Sequence, residues 1–215
     1  RLIKQNPKIL VGYSDITALQ LALMAKTGLV TFSGPMVSSE LSSGLRGKAE
    51  EWFWRCLTSV KKLPALGTTG RLKQRKSRRD ETGSGRLIGG NLSVVASSVG
   101  TPFFPNVSAP VLLLEEIDER PYRIDRMLRQ MRLAGIISKA KGVILGAFID
   151  CKPARGRPSL TLRQVFLDSF GELGIPVIQG LRYGHVPNFL TMPLGILVGL
   201  DTGSHRIDFQ ESAVS

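Results

Sequence analysis

Residues 8–35, KILVGYSDITALQLALMAKTGLVTFSGP, decide the fold. Ile9, Leu10 and Val11 form an apolar run ended by Gly12, the mark of a short buried strand over residues 8–13. Ser14-Asp15 then opens a helix. Within it Ile16, Leu19, Leu23 and Met24 recur at helical spacing, and Lys26-Thr27-Gly28 closes it with a cation and a glycine stop. Residues 29–32 read as a second strand, stopped by Gly34-Pro35. The segment is a β-α-β unit with Ser14 at the strand-to-helix turn.

Working outward, a helix carries Trp52, Phe53, Trp54 and Leu57. A Gly/Thr-rich and basic stretch over residues 67–85 follows and reads as a linker or surface excursion. From Arg86 the alternation resumes. Leu87-Ile-Gly-Gly-Asn91 leads into an apolar helix, residues 111–114 form a buried strand, and residues 122–134 an amphipathic helix. A strand over 142–149, a helix over 162–173, a strand over 176–178 and a closing hairpin (194–200 with 207–209) complete the chain. Alternating strands and helices predict an α/β class. The expected organisation is a nucleophile-bearing unit over 1–36, an excursion over 37–85, and a second α/β domain over 86–215.

Composition narrows the function. The chain has 215 residues and 42% hydrophobic content, enough to bury a core. No apolar run reaches the roughly 18–20 residues that a membrane span requires. Cys56 and Cys151 belong to no CxxC pair and have no histidine at ligand spacing, so reduced thiols and no metal site are expected. Gly83-Ser-Gly85 with Gly89-Gly90 has the wrong spacing for a dinucleotide fingerprint, and no cofactor is expected. The net charge of +12 invites nucleic-acid binding. Much of the excess, however, lies in Arg71-Leu-Lys-Gln-Arg-Lys-Ser-Arg-Arg79, which lacks the aromatic residues that stack on bases. A solvated basic loop is the better reading.

Three residues remain that could carry chemistry. Ser14, at a sharp strand-to-helix turn, would have an exposed hydroxyl beside helical amides, although Gly12-Tyr-Ser-Asp-Ile16 lacks the second glycine of a GxSxG elbow. Taken alone it reads more readily as a helix N-cap. Glu115 and Glu116 end an aliphatic strand and face opposite ways, so one carboxylate at most enters a given site; alone they read as solvated strand-end acids. His185 lies between glycine and proline in a loop, where a locally hydrogen-bonded role is ordinary. His205, the only other histidine, reads as solvent-facing in a hairpin turn.

Taken in order, the phrases NPKILVGYSDITALQLALMAKTGLVTFSGP, GRLIGGNLSVVASSVGTPFFP, LLLEEIDERPYRIDRMLRQMRLAG, GVILGAF and GHVPNFLTMPLG resemble the LD-carboxypeptidase family of serine peptidases, which includes the microcin C immunity peptidases. The resemblance covers most of the chain outside residues 37–85. It implies that Ser14 is the nucleophile, His185 the base and Glu115 the acid that orients it, with the Asp15 amide donating to the oxyanion. It further implies two α/β domains with the active site at their interface, a cytoplasmic enzyme and a murein-derived peptide as substrate. An aminoacyl-nucleotide is the alternative substrate, with Trp52 and Trp54 as candidates to hold a nucleobase. A substrate carboxylate would find Arg120, Arg123, Arg126 and Arg182 as candidate partners. A homodimer is left open.

A third reading, a basic binding module without catalysis, predicts salt-sensitive nucleic-acid binding. Members of the family carry most of the first domain ahead of the GYSD phrase, with a glycine-rich turn giving a second oxyanion amide. Loss of one such donor costs on the order of a hundredfold or more, so on this expectation the 215-residue piece is weak or inactive and exposes apolar surface.

Overall fold

A computed structural model describes residues 1–72, 81–156 and 158–215. Most of the basic stretch 71–79 therefore lies outside the described residues. The class is α/β. After a short helix α1 (Leu2–Gln5), the opening unit runs β1 (Val11–Gly12), α2 (Ile16–Thr27) and β2 (Thr31–Ser33). The strands are shorter than the apolar pattern implied, because Ile9 lies exposed and pairing begins only at Val11. Gly28 closes α2 in the left-handed conformation with φ +74°, and its amide donates to the Met24 carbonyl, as the Lys-Thr-Gly signature requires.

The third α-helix, α3 (Lys48–Thr58), buries Trp52, Phe53 and Cys56. The chain then forms β3 (Leu66–Gly67), β4 (Gly70–Arg71), β5 (Thr82–Asn91), α4 (Leu92–Ser98), β6 (Pro110–Ile117), α5 (Pro121–Leu133), α6 (Ile136–Lys139), β7 (Gly142–Ile149), α7 (Leu162–Phe170) and β8 (Val177–Gln179). Three more strands end it: β9 (Met192–Leu194), β10 (Leu197–Asp201) and β11 (Arg206–Phe209).

Among the described residues the large sheet has eight strands in the order β3-β11-β10-β5-β6-β7-β8-β4. Its centre, β5 to β8, is parallel. The connecting helices α4, α5 and α7 pack side by side, α5 between its neighbours. β3 and β4 lie at opposite ends of this order, yet only Thr68 and Thr69 separate them. So short a link spans about 10 Å, so the sheet curls until its edges nearly meet. Arg71 on β4 reaches Thr202, just after β10, at 3.4 Å.

Sequence reading of residues 67–85 as an excursion missed these strands, since glycine content masked them; residues 82–85 begin the ten-residue β5. Their glycines serve close packing. A Cβ on Gly90 would lie 2.4 Å from Thr17 Oγ1, the atom that accepts the Asn91 amide at 3.2 Å. Helix α2 is thereby seated directly on β5.

The small sheet, β1-β2-β9, joins two parallel strands of the opening unit to an antiparallel strand from the far end of the sequence. Strand β9 follows the loop that carries His185. This is the link that brings Ser14 and His185, 171 positions apart, to one place. The closing hairpin is β10 with β11; Leu194 ends β9 of the small sheet, and residues 195–196 form the crossover to β10. Among the described residues no helix is long and apolar enough to cross a membrane.

Candidate active site

Ser14 sits between β1 and α2 with φ +58°, a conformation that costs a side-chain-bearing residue roughly 1–2 kcal/mol. It is not the N-cap. That position falls to Asp15, whose side chain makes no capping bond. The turn is fastened by Ile16 N donating to Tyr13 O at 3.1 Å and Thr17 N to Ser14 O at 3.0 Å. The Asp15 amide, next to Ser14, has no partner among the described residues.

Glu115 and Glu116 close β6 and are both buried, 1% and 3% exposed, so neither is a solvated strand-end acid. The register of β6 against β7 shifts between Leu114 and Glu116, and a bulge of this kind re-aims the side chain at the irregularity. Glu115 turns toward the loop after β8, where its Oε2 accepts from His185 Nδ1 at 2.8 Å. Glu116 turns to α4, accepting from Ser93 N at 2.9 Å and Ser93 Oγ at 2.6 Å. One carboxylate faces the site and its neighbour caps a helix.

The other imidazole nitrogen, Nε2, is 3.3 Å from Ser14 Oγ. Serine, histidine and glutamate thus form one chain of hydrogen bonds across both sheets. The bond to Glu115 raises the His185 pKa above its ordinary value of 6.5, outweighing partial burial, with the Glu116 and Glu40 charges adding to it. Gly184 makes the approach feasible: at φ +106°, a Cβ there would stand 2.6 Å from Glu115 Oε2. The loop is braced on every side. Arg182 donates twice to the Pro187 carbonyl, at 3.0 and 2.7 Å. Tyr183 and Ser33 on β2 share a 2.7 Å hydroxyl bond, and Ala147 N donates to Tyr183 O at 2.8 Å.

Asn91 is a site residue that spacing did not single out. Its Oδ1 accepts from Val94 N at 3.3 Å as the N-cap of α4. Its Nδ2 lies 3.3 Å from Glu115 Oε1 and 3.0 Å from Glu116 Oε1, giving both buried carboxylates a donor. The signal was present, since asparagine between a strand and an apolar helix is a favoured cap.

Other candidates separate. Trp52 is core, its indole donating to Thr191 O at 2.8 Å, whereas Trp54 is exposed. Arg120 donates to Lys152 O, Arg123 pairs with Glu119, and Arg126 lies over the Tyr122 ring. His205 is not solvent-facing: it is half-buried with φ +53°. Its carbonyl accepts from both Thr68 N and Oγ1, so the turn folds onto β3. Both cysteines are free and buried, and burial pushes the Cys56 thiol up to about 12. Among the described residues no group of three or more His, Cys, Asp or Glu side chains could hold a metal ion.

Residues 84–200 match the model of the LD-carboxypeptidase C-terminal domain, and residues 1–34 that of the LD-carboxypeptidase N-terminal domain. The chain belongs to the LD-carboxypeptidase family. It is 35% identical over 201 residues to a protein of Bacillus subtilis (strain 168) described as a probable murein peptide carboxypeptidase, covering 94% of this chain and 62% of that one. It is 29% identical over 236 residues to the microcin C7 self-immunity protein MccF of Escherichia coli, covering 98% of this chain and 67% of that protein. Among solved structures it superposes on the muramoyltetrapeptide carboxypeptidase of Oxalobacter formigenes with a TM-score of 0.81 at 32% identity, over 96% of this chain and 69% of the other. This LD-carboxypeptidase chain thus spans a little under two thirds of the B. subtilis relative's length.

Proposed function

We propose that this chain carries the triad of a serine peptidase that hydrolyses the amide between the L-centre of a diamino acid and a terminal D-alanine in a murein tetrapeptide. The observation that carries the reading is the hydrogen-bonded series Ser14 Oγ, His185 Nε2, His185 Nδ1 and Glu115 Oε2, at 3.3 and 2.8 Å. Such a series activates a hydroxyl by giving its proton a base and giving that base an oriented, charged partner.

In the acylation step Ser14 Oγ bonds to the scissile carbonyl carbon while its proton passes to His185 Nε2. The imidazolium is stabilised by the ionised Glu115. The carbonyl oxygen takes the negative charge and accepts from the Asp15 amide. Collapse of this intermediate breaks the C–N bond, and His185 returns the proton to the departing D-alanine nitrogen. Water then attacks the acyl-serine ester as His185 takes its proton, and His185 returns that proton to Ser14 Oγ as the C–O bond breaks and the acid product leaves. The raised pKa of His185 suits a base that must hold a proton transiently.

The domain reading accompanies this function. Residues 1–36 form the nucleophile-bearing part and residues 86–215 the part with acid and base, with substrate bound between them, in the cytoplasm. The similarity to MccF favours a second substrate, an aminoacyl-nucleotide, and solved structures of MccF hold aspartyl sulfamoyl adenosine or glutamyl sulfamoyl guanosine. The deciding experiment measures D-alanine release from L-Ala-D-Glu-meso-diaminopimelyl-D-Ala beside hydrolysis of an aminoacyl sulfamoyl adenosine. It is run on the protein and on its Ser14→Ala, Glu115→Ala and His185→Ala variants. Release of D-alanine abolished in all three supports the murein reading, whereas turnover of the nucleotide alone replaces it.

A further inference from the structure

Tyr13 precedes the nucleophile, and its side chain has an unusual setting. Its ring packs against the His185 imidazole with centroids 4.9 Å apart and, on another side, against Phe189 at 4.8 Å. Its hydroxyl donates to Glu40 Oε1 at 2.7 Å. Glu40 is itself immobilised, since Oε2 accepts from Ser39 Oγ at 2.6 Å and Met36 N at 3.1 Å. These bonds hold the Glu40 carboxyl below its ordinary pKa although burial opposes them. Burial, followed by the bond to Glu40, drives the Tyr13 phenol far above its ordinary value, so it stays a neutral donor.

The imidazole needs such support. The bond from Nδ1 to Glu115 fixes one atom of the ring but leaves it free to swing about that contact. The serine contact at 3.3 Å is near the outer limit of a hydrogen bond, so a small swing breaks it. Tyr13 is the neighbour of Ser14 in sequence and of His185 in space, and it can therefore set the distance between them.

We propose that Glu40 is a positioning residue for the triad, acting through the Tyr13 phenol to hold the His185 imidazole against Ser14. This rests on the reading of Ser14 as nucleophile. It assigns a role to the segment after Pro35, a region the quoted family phrases do not cover. The charges that face His185 are those of Glu115, Glu116 and Glu40, with Tyr13 the neutral phenol against its ring.

The test uses the chain as it stands and needs no peptide substrate. A fluorophosphonate phosphonylates an activated serine: Oγ bonds to phosphorus, fluoride leaves and the proton passes to the histidine. Labelling at Ser14 is timed for the wild type, Tyr13→Phe, Glu40→Gln and the double variant, with thermal melting in parallel. Each single variant is expected to label about tenfold more slowly, since sub-ångström misplacement of a base has effects of that order. The double variant is expected to be no slower than the slower single one, because both act through one contact. The His185 proton resonances, one of two histidine sets, are expected to titrate at lower pH in Glu40→Gln.

Wild-type labelling rates in both single variants, or effects that multiply in the double variant, overturn the proposal. So does lower melting with unchanged labelling and titration, which is a structural role alone. If Tyr13→Phe does not fold, Glu40→Gln decides the matter by itself. Absence of labelling in the folded wild type, even at high probe concentration over hours that outlast a loss of rate of about a hundredfold, removes the nucleophile reading instead, and the positioning role with it.

Discussion

Replacing Gly184 with alanine adds one carbon at the most crowded point of the site. That carbon would lie 2.6 Å from Glu115 Oε2, 2.9 Å from its Cβ and 3.0 Å from its Cγ. All are inside van der Waals contact, and the backbone at φ +106° resists any residue with a side chain. Strained backbone costs about 1–3 kcal/mol and overpacking about 1–3 kcal/mol; taking about 3 kcal/mol together, the melting temperature falls by about 6–12 °C for a chain of this size. The chemical effect should be larger. The Glu115 carboxylate cannot keep its 2.8 Å bond to His185 with a methyl group in its place, and loss of the orienting acid in triads costs on the order of 10⁴ in rate. Circular dichroism gives the melting temperature and fluorophosphonate labelling of Ser14 the reactivity. Gly28→Ala is the control, for Gly28 has φ +74° but nothing within 4 Å of a Cβ, so it should cost about 1 kcal/mol from backbone strain alone and leave labelling intact. A Gly184→Ala protein that melts and labels like the wild type would falsify the packing account of Glu115.

Labelling should also depend on pH in a defined sense. His185 acts as a base only when neutral, and its pKa is raised by Glu115, so the rate should climb through a midpoint above the 6.5 of free histidine; Glu115→Gln should move that midpoint down. The same shift is linked to stability: with the folded pKa above the unfolded one, the pair's contribution is fully present below about 6.5 and fades as pH rises through the folded value. Melting curves across this window check the sign. Ser14→Gly should abolish labelling yet raise stability by about 1 kcal/mol, because glycine relieves the left-handed strain at φ +58°. Asn91→Ala should destabilise by about 1–3 kcal/mol, as seen in denaturant unfolding, since two buried carboxylates lose a donor and α4 loses its cap.

The opening unit was legible because its signals are local. Apolar run, helical period and Lys-Thr-Gly stop each act within a few residues, and β1, α2 and β2 follow from them. Strand β5 was not legible in its first half, because Thr82-Gly-Ser-Gly85 has the composition of a loop. Its glycines answer to long-range contact, as at Gly85, where a Cβ would meet the Ala109 carbonyl. The pairing of β9 with β2 was also hidden, since Met192-Pro-Leu194 carries no strand period and register comes from a partner about 160 residues away. At the site, resemblance named Ser14, Glu115 and His185, and the geometry brings the three together. Asn91 and Glu40 act through other side chains, and neither has a spacing rule that would reveal it.

Glu115 and Glu116 allow a comparison within the protein itself. Both are buried glutamates at the end of one strand, and both accept from Asn91. Glu116 meets the needs of the fold by ordinary means, accepting from the amide and hydroxyl of Ser93 and from its own following amide at Ile117. Glu115 requires three separate departures from relaxed geometry: a register shift in β6, a left-handed glycine at 184 and, at the far end of the relay, a left-handed serine at 14. These lie on elements distant in sequence, and each is locally unfavourable or tolerates only one residue type. A purely structural carboxylate has no use for them, as its neighbour demonstrates. They share one consequence, the alignment of Ser14 Oγ, the imidazole and Glu115 Oε2. The positive φ values at Ser14 and Gly184 and the register shift in β6 thus converge on one alignment, which supports the proposed chemistry at Ser14.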